Sequence, residues 1–156
     1  MKKYRVIGIM SGTSLDGLDI AYCEFEIKKR WNYKIIHAET MPYNRIWKDK
    51  LSGAFKMKKK DLIRLDKEYG NFIGNEILKF RKRKKITADF ISSHGHTVFH
   101  QPEKKITLQI GDGGKIASVC HLPVVCNFRS GDVSLGGQGA PLVPMVDKIL
   151  FPNYDF

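Results

Sequence analysis

A mixed β-sheet with helices on its faces, an α/β fold, is what this 156-residue chain predicts. Three observations carry that expectation. Apolar runs over residues 4–10 and 18–25 flank a short turn of Gly, Ser, Thr and Asp, the pattern of a β-hairpin. A long segment after Asp61 keeps one apolar face at helical spacing. Strands then start near Ala88 and near Val124, each approached through a helix, as parallel neighbours joined by crossovers are.

In chain order, the hairpin is followed by a third strand over residues 33–40, with a turn at 28–32 before it. Met41-Pro42-Tyr43-Asn44 ends that strand, because proline cannot donate to a ladder. Ile46, Trp47, Leu51 and Phe55 recur at helical spacing. Asp61 is placed to cap the next helix, whose apolar face is Leu62, Leu65, Tyr69, Phe72, Ile73, Ile77 and Phe80. Gly70 and Gly74 inside it cost helix stability and predict close packing against a neighbour. Residues 88–93 read as a buried strand ending at Ser92-Ser93-His94-Gly95-His96-Thr97. A turn at Gln101-Pro102-Glu103, a strand over 106–110 and a helix opened by Asp112 come next. An apolar strand spans 123–128, a Gly-rich polar stretch spans 129–144, and apolar spacing resumes over 145–150.

Composition narrows the class. Hydrophobic residues make up 42% and aromatics 11%, values of a chain that buries a core rather than a disordered one. No stretch is long and apolar enough to span a bilayer. The run after Met1-Lys2-Lys3 is short, contains Arg5 and ends in a polar loop, unlike a signal peptide. Cys23, Cys120 and Cys126 lack metal-binding spacing and read as buried free thiols, which implies the cytoplasm. The net charge is +11, concentrated in Lys56-Met57-Lys58-Lys59-Lys60 and Arg81-Lys82-Arg83-Lys84-Lys85. Such runs serve nucleic-acid binding in some chains. Here no aromatics are interleaved as stacking platforms, so we read them as solvated faces, with no nucleic-acid partner expected.

The chemistry concentrates in three places. Between the first two strands stand Gly12, Thr13, Ser14, Leu15, Asp16, Gly17, Leu18 and Asp19. Two glycines allow close backbone approach and two hydroxyls add donors, the make-up of a phosphate cradle. Carboxylates at Asp16 and Asp19 would repel a phosphate without a cation between them, so the cradle reading implies magnesium. The Gly12–Gly17 spacing suits a P-loop, but Leu18 and Asp19 stand where Lys and Ser/Thr are required. An ordinary polar turn is the other open reading. The second place is His94, His96 and Thr97 at a strand end, and the third is Arg129 and Asp132 after another. Arg129 suits a carboxylate or phosphate, and Asp132 suits sugar hydroxyls. His94, His96 and His100 could serve as metal ligands or as hydrogen-bonding groups; no Cys or Glu sits at a useful offset for a metal. The Gly-rich stretch from Gly136 to Pro144 must lie close to another backbone, a ligand or a joint.

Five stretches in order, the run from Gly8 to Gly17, Ser93-His94-Gly95-His96-Thr97, Gln109-Ile110-Gly111-Asp112-Gly113, Phe128-Arg129-Ser130 with Asp132-Val133, and Gly136 to Pro144, resemble the anhydro-N-acetylmuramic acid kinase family. The resemblance implies a ribonuclease-H-like sheet, one lobe of the actin, Hsp70 and sugar-kinase fold. Residues 1–156 would be the N-terminal lobe alone, with the C-terminal lobe absent and a new strand due at Asn153-Tyr154-Asp155-Phe156. It implies ATP and magnesium as cofactors, residues 12–19 on the ATP phosphates, and Asp16 on magnesium. The sugar would lie near His94, His96, Thr97, Arg129 and Asp132. Family members open the 1,6-anhydro ring with water while phosphorylating O6, giving N-acetylmuramic acid 6-phosphate. Their water-activating carboxylate would lie in the missing lobe, so no catalytic residue and no turnover are expected of this chain, unless a second copy or the missing lobe completes it. The chain departs from the family at Asn127 (usually Asp), His96 (commonly Gln) and Gly131 (commonly charged). A basic nucleic-acid-binding domain and a non-functional gene fragment are the alternatives.

Overall fold

The structure, a computed structural model, describes residues 2–151. In chain order it contains β1 (Lys2–Ser11), β2 (Gly17–Ile27), β3 (Trp31–Pro42), α1 (Arg45–Gly53) and α2 (Lys59–Lys84). There follow β4 (Phe90–Gln101), β5 (Ile106–Ile110), α3 (Gly113–Cys120), β6 (Val124–Cys126), α4 (Phe128–Ser134) and α5 (Val143–Leu150). β1, β2 and β3 form an antiparallel meander. β4 lies parallel to β1 on its free side, and β6 lies parallel to β4. The spatial order β3-β2-β1-β4-β6, three antiparallel strands and then two parallel ones, is the ribonuclease-H-like sheet. β5 extends it by pairing antiparallel with the far half of β4.

Side-chain alternation divides the sheet into two faces. Ile7 and Ile9 of β1, Leu18, Ile20 and Tyr22 of β2, and Ile91 of β4 form one core with Leu65, Tyr69, Ile73, Ile77 and Phe80 of α2. Each such side chain, fully buried, contributes roughly 1.5–3 kcal/mol relative to exposure. The opposite face is covered only in part. Val146, Ile149 and Leu150 of α5 close an apolar space over Tyr4, Val6, Phe25 and Phe90. Beyond α5 this face stays open, with Met10 42% exposed on it.

α2 carries the apolar face read from its periodicity, and its glycines are contact points. A Cβ on Gly70 would stand 2.6 Å from the Asp112 carbonyl oxygen, and one on Gly74 would stand 2.8 Å from Val119 Cβ. α3 therefore packs where only glycine fits. Asp112 caps α3 as expected, its carboxylate accepting from the Lys115 N–H at 2.9 Å.

Four expectations are corrected. α2 starts at Lys59 with Lys58 at its cap, so Asp61 sits in the first turn, where the helix dipole favours a carboxylate, and pairs with Arg64. β4 does not end at Ser93: it bends at Gly95 (φ 72°) and runs on to Gln101, because β5 supplies a partner after β6 has ended. Within residues 129–144, the first part is helical, so Arg129 and Asp132 lie one turn apart on α4. Cys120 is buried, but Cys23 is half-buried and Cys126 exposed. The strand expected at Asn153–Phe156 lies outside the described residues.

The glycine contacts set opposite outcomes for two substitutions. Gly53, with nothing near its Cβ position and an ordinary helical φ, gains from helix propensity, so Gly53→Ala should raise stability by up to about 1 kcal/mol. Gly70→Ala should lower it by about 1–3 kcal/mol, because the obstacle is backbone. Urea denaturation of the two variants checks this; a neutral Gly70→Ala would contradict the packing described.

Candidate functional site

The β1–β2 connection is a turn over residues 12–16. Leu15 adopts a left-handed backbone (φ 58°), uncommon for a residue with a Cβ, while its side chain packs on the core. That conformation turns Thr13 and Ser14 outward, and both are exposed. The Leu15 N–H closes the turn on the Gly12 carbonyl at 3.4 Å. Among the described residues, the N–H groups of Gly12, Thr13 and Ser14 reach no protein acceptor. Asp16 projects its carboxylate into solvent, and its carbonyl accepts from the Tyr43 N–H at 3.2 Å. Asp19 is held by the Thr40 hydroxyl at 2.5 Å.

Gly17 and Leu18 do different work. A Cβ on Gly17 would stand 2.5 Å from the Met41 carbonyl oxygen, so this glycine admits β3. Leu18 is fully buried, and both residues pair in the β2–β3 ladder. The expectation that residues 12–19 all face phosphate is thus narrowed: Gly12, Thr13, Ser14 and Asp16 offer free groups, with Asp19 alongside. Leu15, Gly17 and Leu18 shape the turn.

Next to the turn, on the open sheet face, lies a cleft of about 660 Å³ lined by Met10, Asp19, Thr40, Ser92, His94 and Phe128 among others. Gly8, Ala21 and Ala38, in register on adjacent strands, leave room at its floor. His94 Nδ1 lies 3.1 Å from the Gly95 carbonyl oxygen, a pure acceptor, so Nδ1 carries the proton. His94 Nε2 then accepts from Arg129 Nε–H at 3.0 Å. Burial lowers the His94 pKa, and the Arg129 charge lowers it further, against the Gly95 bond. The ring is neutral at pH 7. Arg129 also donates to the Gly139 carbonyl at 2.6 Å, and the Gly139 N–H donates to Asp132 at 2.6 Å. A Cβ on Gly137 would collide with the Asp132 carboxylate. Arg129 and Asp132 thereby hold the Gly-rich segment against α4.

His96 is elsewhere. It is only 4% exposed, and its Nδ1 lies 3.2 Å from Ser11 Oγ. Tyr43 OH donates to the same Ser11 Oγ at 2.9 Å, and Tyr69 OH stands 2.5 Å behind Tyr43 OH. With Tyr43 donating to Ser11, the Tyr69 hydroxyl donates to Tyr43, and Ser11 Oγ and His96 Nδ1 share the last hydrogen bond of the line. Burial lowers the His96 pKa, against a hydrogen bond to the Ser11 main chain that favours the charged ring, and neighbouring His94 adds to the lowering. Burial likewise raises the pKa of both tyrosines.

Of the five residues expected at the sugar, His94 lines the cleft and Arg129 reaches it through His94. Asp132 stands behind them with its carboxylate engaged, and Thr97 is half-buried opposite Gln109 on β5. His96 is corrected from a cleft-facing group to a buried one, because the bend at Gly95 turns its ring toward Ser11. Sequence reasoning assigned no role to Ser11, Thr40, Tyr43 or Phe128: Ser11 and Phe128 lie inside recognised stretches whose partners are distant in the chain, Thr40 is brought in by sheet pairing, and Tyr43 by its place after β3. His100 bonds Thr107 at 3.1 Å, and no group of three metal-ligating side chains converges among the described residues. The two basic runs stand at opposite ends of α2, roughly 40 Å apart. Arg81 donates to the Cys120 carbonyl and Arg83 pairs with Glu39. No helix among the described residues is long and apolar enough to cross a membrane.

His96 makes stability pH-dependent with a definite sign. The unfolded chain takes up a proton near the ordinary histidine value of 6.5, whereas folded His96 takes it up only at lower pH. The unfolded state therefore binds more protons below pH 6.5, and stability falls as pH falls through that window. Urea midpoints at pH 7 and pH 5.5 should differ more for the parent than for His96→Gln. Equal differences would contradict the buried, neutral assignment.

Comparison with known proteins gives one answer across the chain. The family model for anhydro-N-acetylmuramic acid kinase matches residues 4–156. The anhydro-N-acetylmuramic acid kinase of Francisella tularensis subsp. novicida is 38% identical over 169 residues, covering 99% of this chain and 44% of that protein. Those of Photobacterium profundum and Bacillus cereus are 35% and 34% identical, over 97% and 94% of this chain and 42% and 41% of theirs. The chain thus spans less than half the length of these relatives. Among solved structures, Thermus thermophilus RuvC aligns with a TM-score of 0.45 at 17% identity, over 94% of this chain and 80% of that one. With the family match running from Tyr4 to the last residue, through the turn, the bent strand and the Gly-rich segment, this chain belongs to the anhydro-N-acetylmuramic acid kinase family.

Proposed function

We propose that residues 1–156 form the N-terminal, phosphate-binding lobe of a kinase that phosphorylates an anhydro amino sugar at O6 with opening of its 1,6-anhydro ring. The observation that carries this reading is the turn at 12–16. It presents the N–H groups of Gly12, Thr13 and Ser14, unpartnered among the described residues, with two hydroxyls and one carboxylate, in the connection between strands whose Met10 and Asp19 line the cleft. That donor set suits phosphate oxygens, and a carboxylate beside them suits a hydrated magnesium ion. ATP, when bound, would supply the transferable phosphoryl group and magnesium would neutralise its charge.

This chain's own residues would bind and orient. Gly12, Thr13 and Ser14 would hold phosphate oxygens through main-chain N–H and hydroxyl groups, while Asp16 would hold magnesium through its water shell, with Asp19 as a further carboxylate. The neutral His94 would face the sugar across the cleft, its orientation fixed by Arg129 and the Gly95 carbonyl. Arg129 keeps N–H groups beyond those given to His94 and Gly139, enough for an anionic substituent. Asp19 and Glu39 share the cleft with His94, but Asp19 is held by Thr40 and Glu39 pairs with Arg83, so the carboxylate that activates water would come from a second lobe closing over the open sheet face. A kinase with that reaction would serve the recycling of cell-wall sugars in the cytoplasm.

The reading is tested by product formation. The purified 156-residue chain with ATP, magnesium and the anhydro sugar should give no sugar 6-phosphate. Substituted for the corresponding part of the Francisella kinase, it should give turnover that Asp16→Asn lowers at least tenfold. Turnover by the chain alone, or none from a folded chimera, would overturn the proposal.

A further inference from the structure

The turn at 12–16 has two ends, and one residue outside it holds both. At the entry, Ser11 Oγ accepts from the Tyr43 hydroxyl at 2.9 Å. At the exit, the Asp16 carbonyl accepts from the Tyr43 main-chain N–H at 3.2 Å. Tyr43 is itself fixed: its ring is 5% exposed, lies 6.4 Å from Tyr69 and 6.1 Å from Phe72, and its oxygen stands 2.5 Å from Tyr69 OH. The hydrogen-bonded line Tyr69–Tyr43–Ser11–His96 thus ties α2, the β3–α1 junction, β1 and β4 together directly beneath the turn.

We infer that Tyr43 is a positioning residue for the phosphate turn, acting through Ser11 and Asp16 rather than by touching the ligand. For its ligand, and for that alone, this inference rests on the function proposed above. Beyond the flanking ladder and the Leu15 side chain on the core, the turn has little else to hold it. Among the described residues, the N–H groups of Gly12, Thr13 and Ser14 reach no acceptor, that of Leu15 makes a long bond to Gly12, and Thr13, Ser14 and Asp16 are exposed. A turn whose donors wait for phosphate needs its ends fixed from below, and Tyr43 supplies both fixings from a buried site. The hydroxyl is the separable part: Tyr43→Phe keeps the ring and the main-chain N–H but frees Ser11.

Hydrogen exchange of the 156-residue chain tests this without any ligand. Tyr43→Phe should speed exchange at the amides of Leu15 and Tyr43 by roughly five- to tenfold, the loss of one hydrogen bond, while Ile20 and Ala21 keep the parent rate. The control is Tyr22→Phe, which removes the hydroxyl of another buried tyrosine, bonded to the Thr87 carbonyl at 3.0 Å, away from the turn. It should leave Leu15 and Tyr43 unchanged. Should Tyr43→Phe fail to fold, Tyr69→Phe loosens Tyr43 from behind and should speed the same two amides roughly two- to threefold. The Kd for magnesium-ADP should rise in Tyr43→Phe by a factor similar to the exchange change. A parent that binds no magnesium-ADP would defeat the proposed function, while the exchange pattern would still decide the role of Tyr43. Unchanged exchange at Leu15 and Tyr43, or a uniform rise across the chain as in a merely destabilised protein, would overturn the inference.

Discussion

The parallel pairing of β1 with β4 is the constraint on which the site depends. It sets Ile9 beside Ser93 and Ser11 beside His96, with the register shift falling at Met10 between them. That shift is where β1 hands over to the turn and β4 approaches its bend. The pairing therefore brings the free donors of residues 12–16 to the same end of the sheet as His94 and, through His94, Arg129. α2 makes the pairing available by carrying the chain back along the sheet, and α3 locks α2 through Gly70 and Gly74.

Two charge environments meet at this end of the molecule. The chain as a whole is strongly cationic, yet the turn bears Asp16 and Asp19, and the histidines nearby stay neutral. Burial and the Arg129 charge both act against a protonated His94, so the cleft's fixed cation is Arg129, braced by His94 and the Gly139 carbonyl. The basic runs stand at the two ends of α2, and in the second of them Arg81 and Arg83 serve internal contacts.

Much of the fold was legible because it is written in local patterns. The hairpin showed as two apolar runs about a Gly/Ser/Asp turn, α2 as a sustained apolar face, and the α3 cap as Asp before two glycines. Gly95 misled for a physical reason: a glycine after a polar Ser-Ser-His reads as a strand end, yet here it bends a strand that β5 keeps paired. α4 was hidden by its Gly131 and by the Gly-rich segment after it. In the site, the turn itself was readable from composition, and His94 and Arg129 from their places just past strand ends. Tyr43 and Ser11 were not readable, since their bond joins residues 32 apart through the packing of β3 and α1 on the core. The buried place of His96 was equally out of reach, because only the observed bend decides which way its ring turns.

The central claim is that the turn at 12–16 is a phosphate site used with magnesium. Titrating the isotopically labelled chain with magnesium-ADP and following each amide by NMR tests it most directly. The account predicts saturable shifts, with a Kd on the order of a millimolar for half a site, largest at Gly12, Thr13, Ser14 and Asp16, and diminished when magnesium is removed. Shifts confined to Lys56–Lys60 and Arg81–Lys85, or none at the turn at saturating nucleotide, would contradict it.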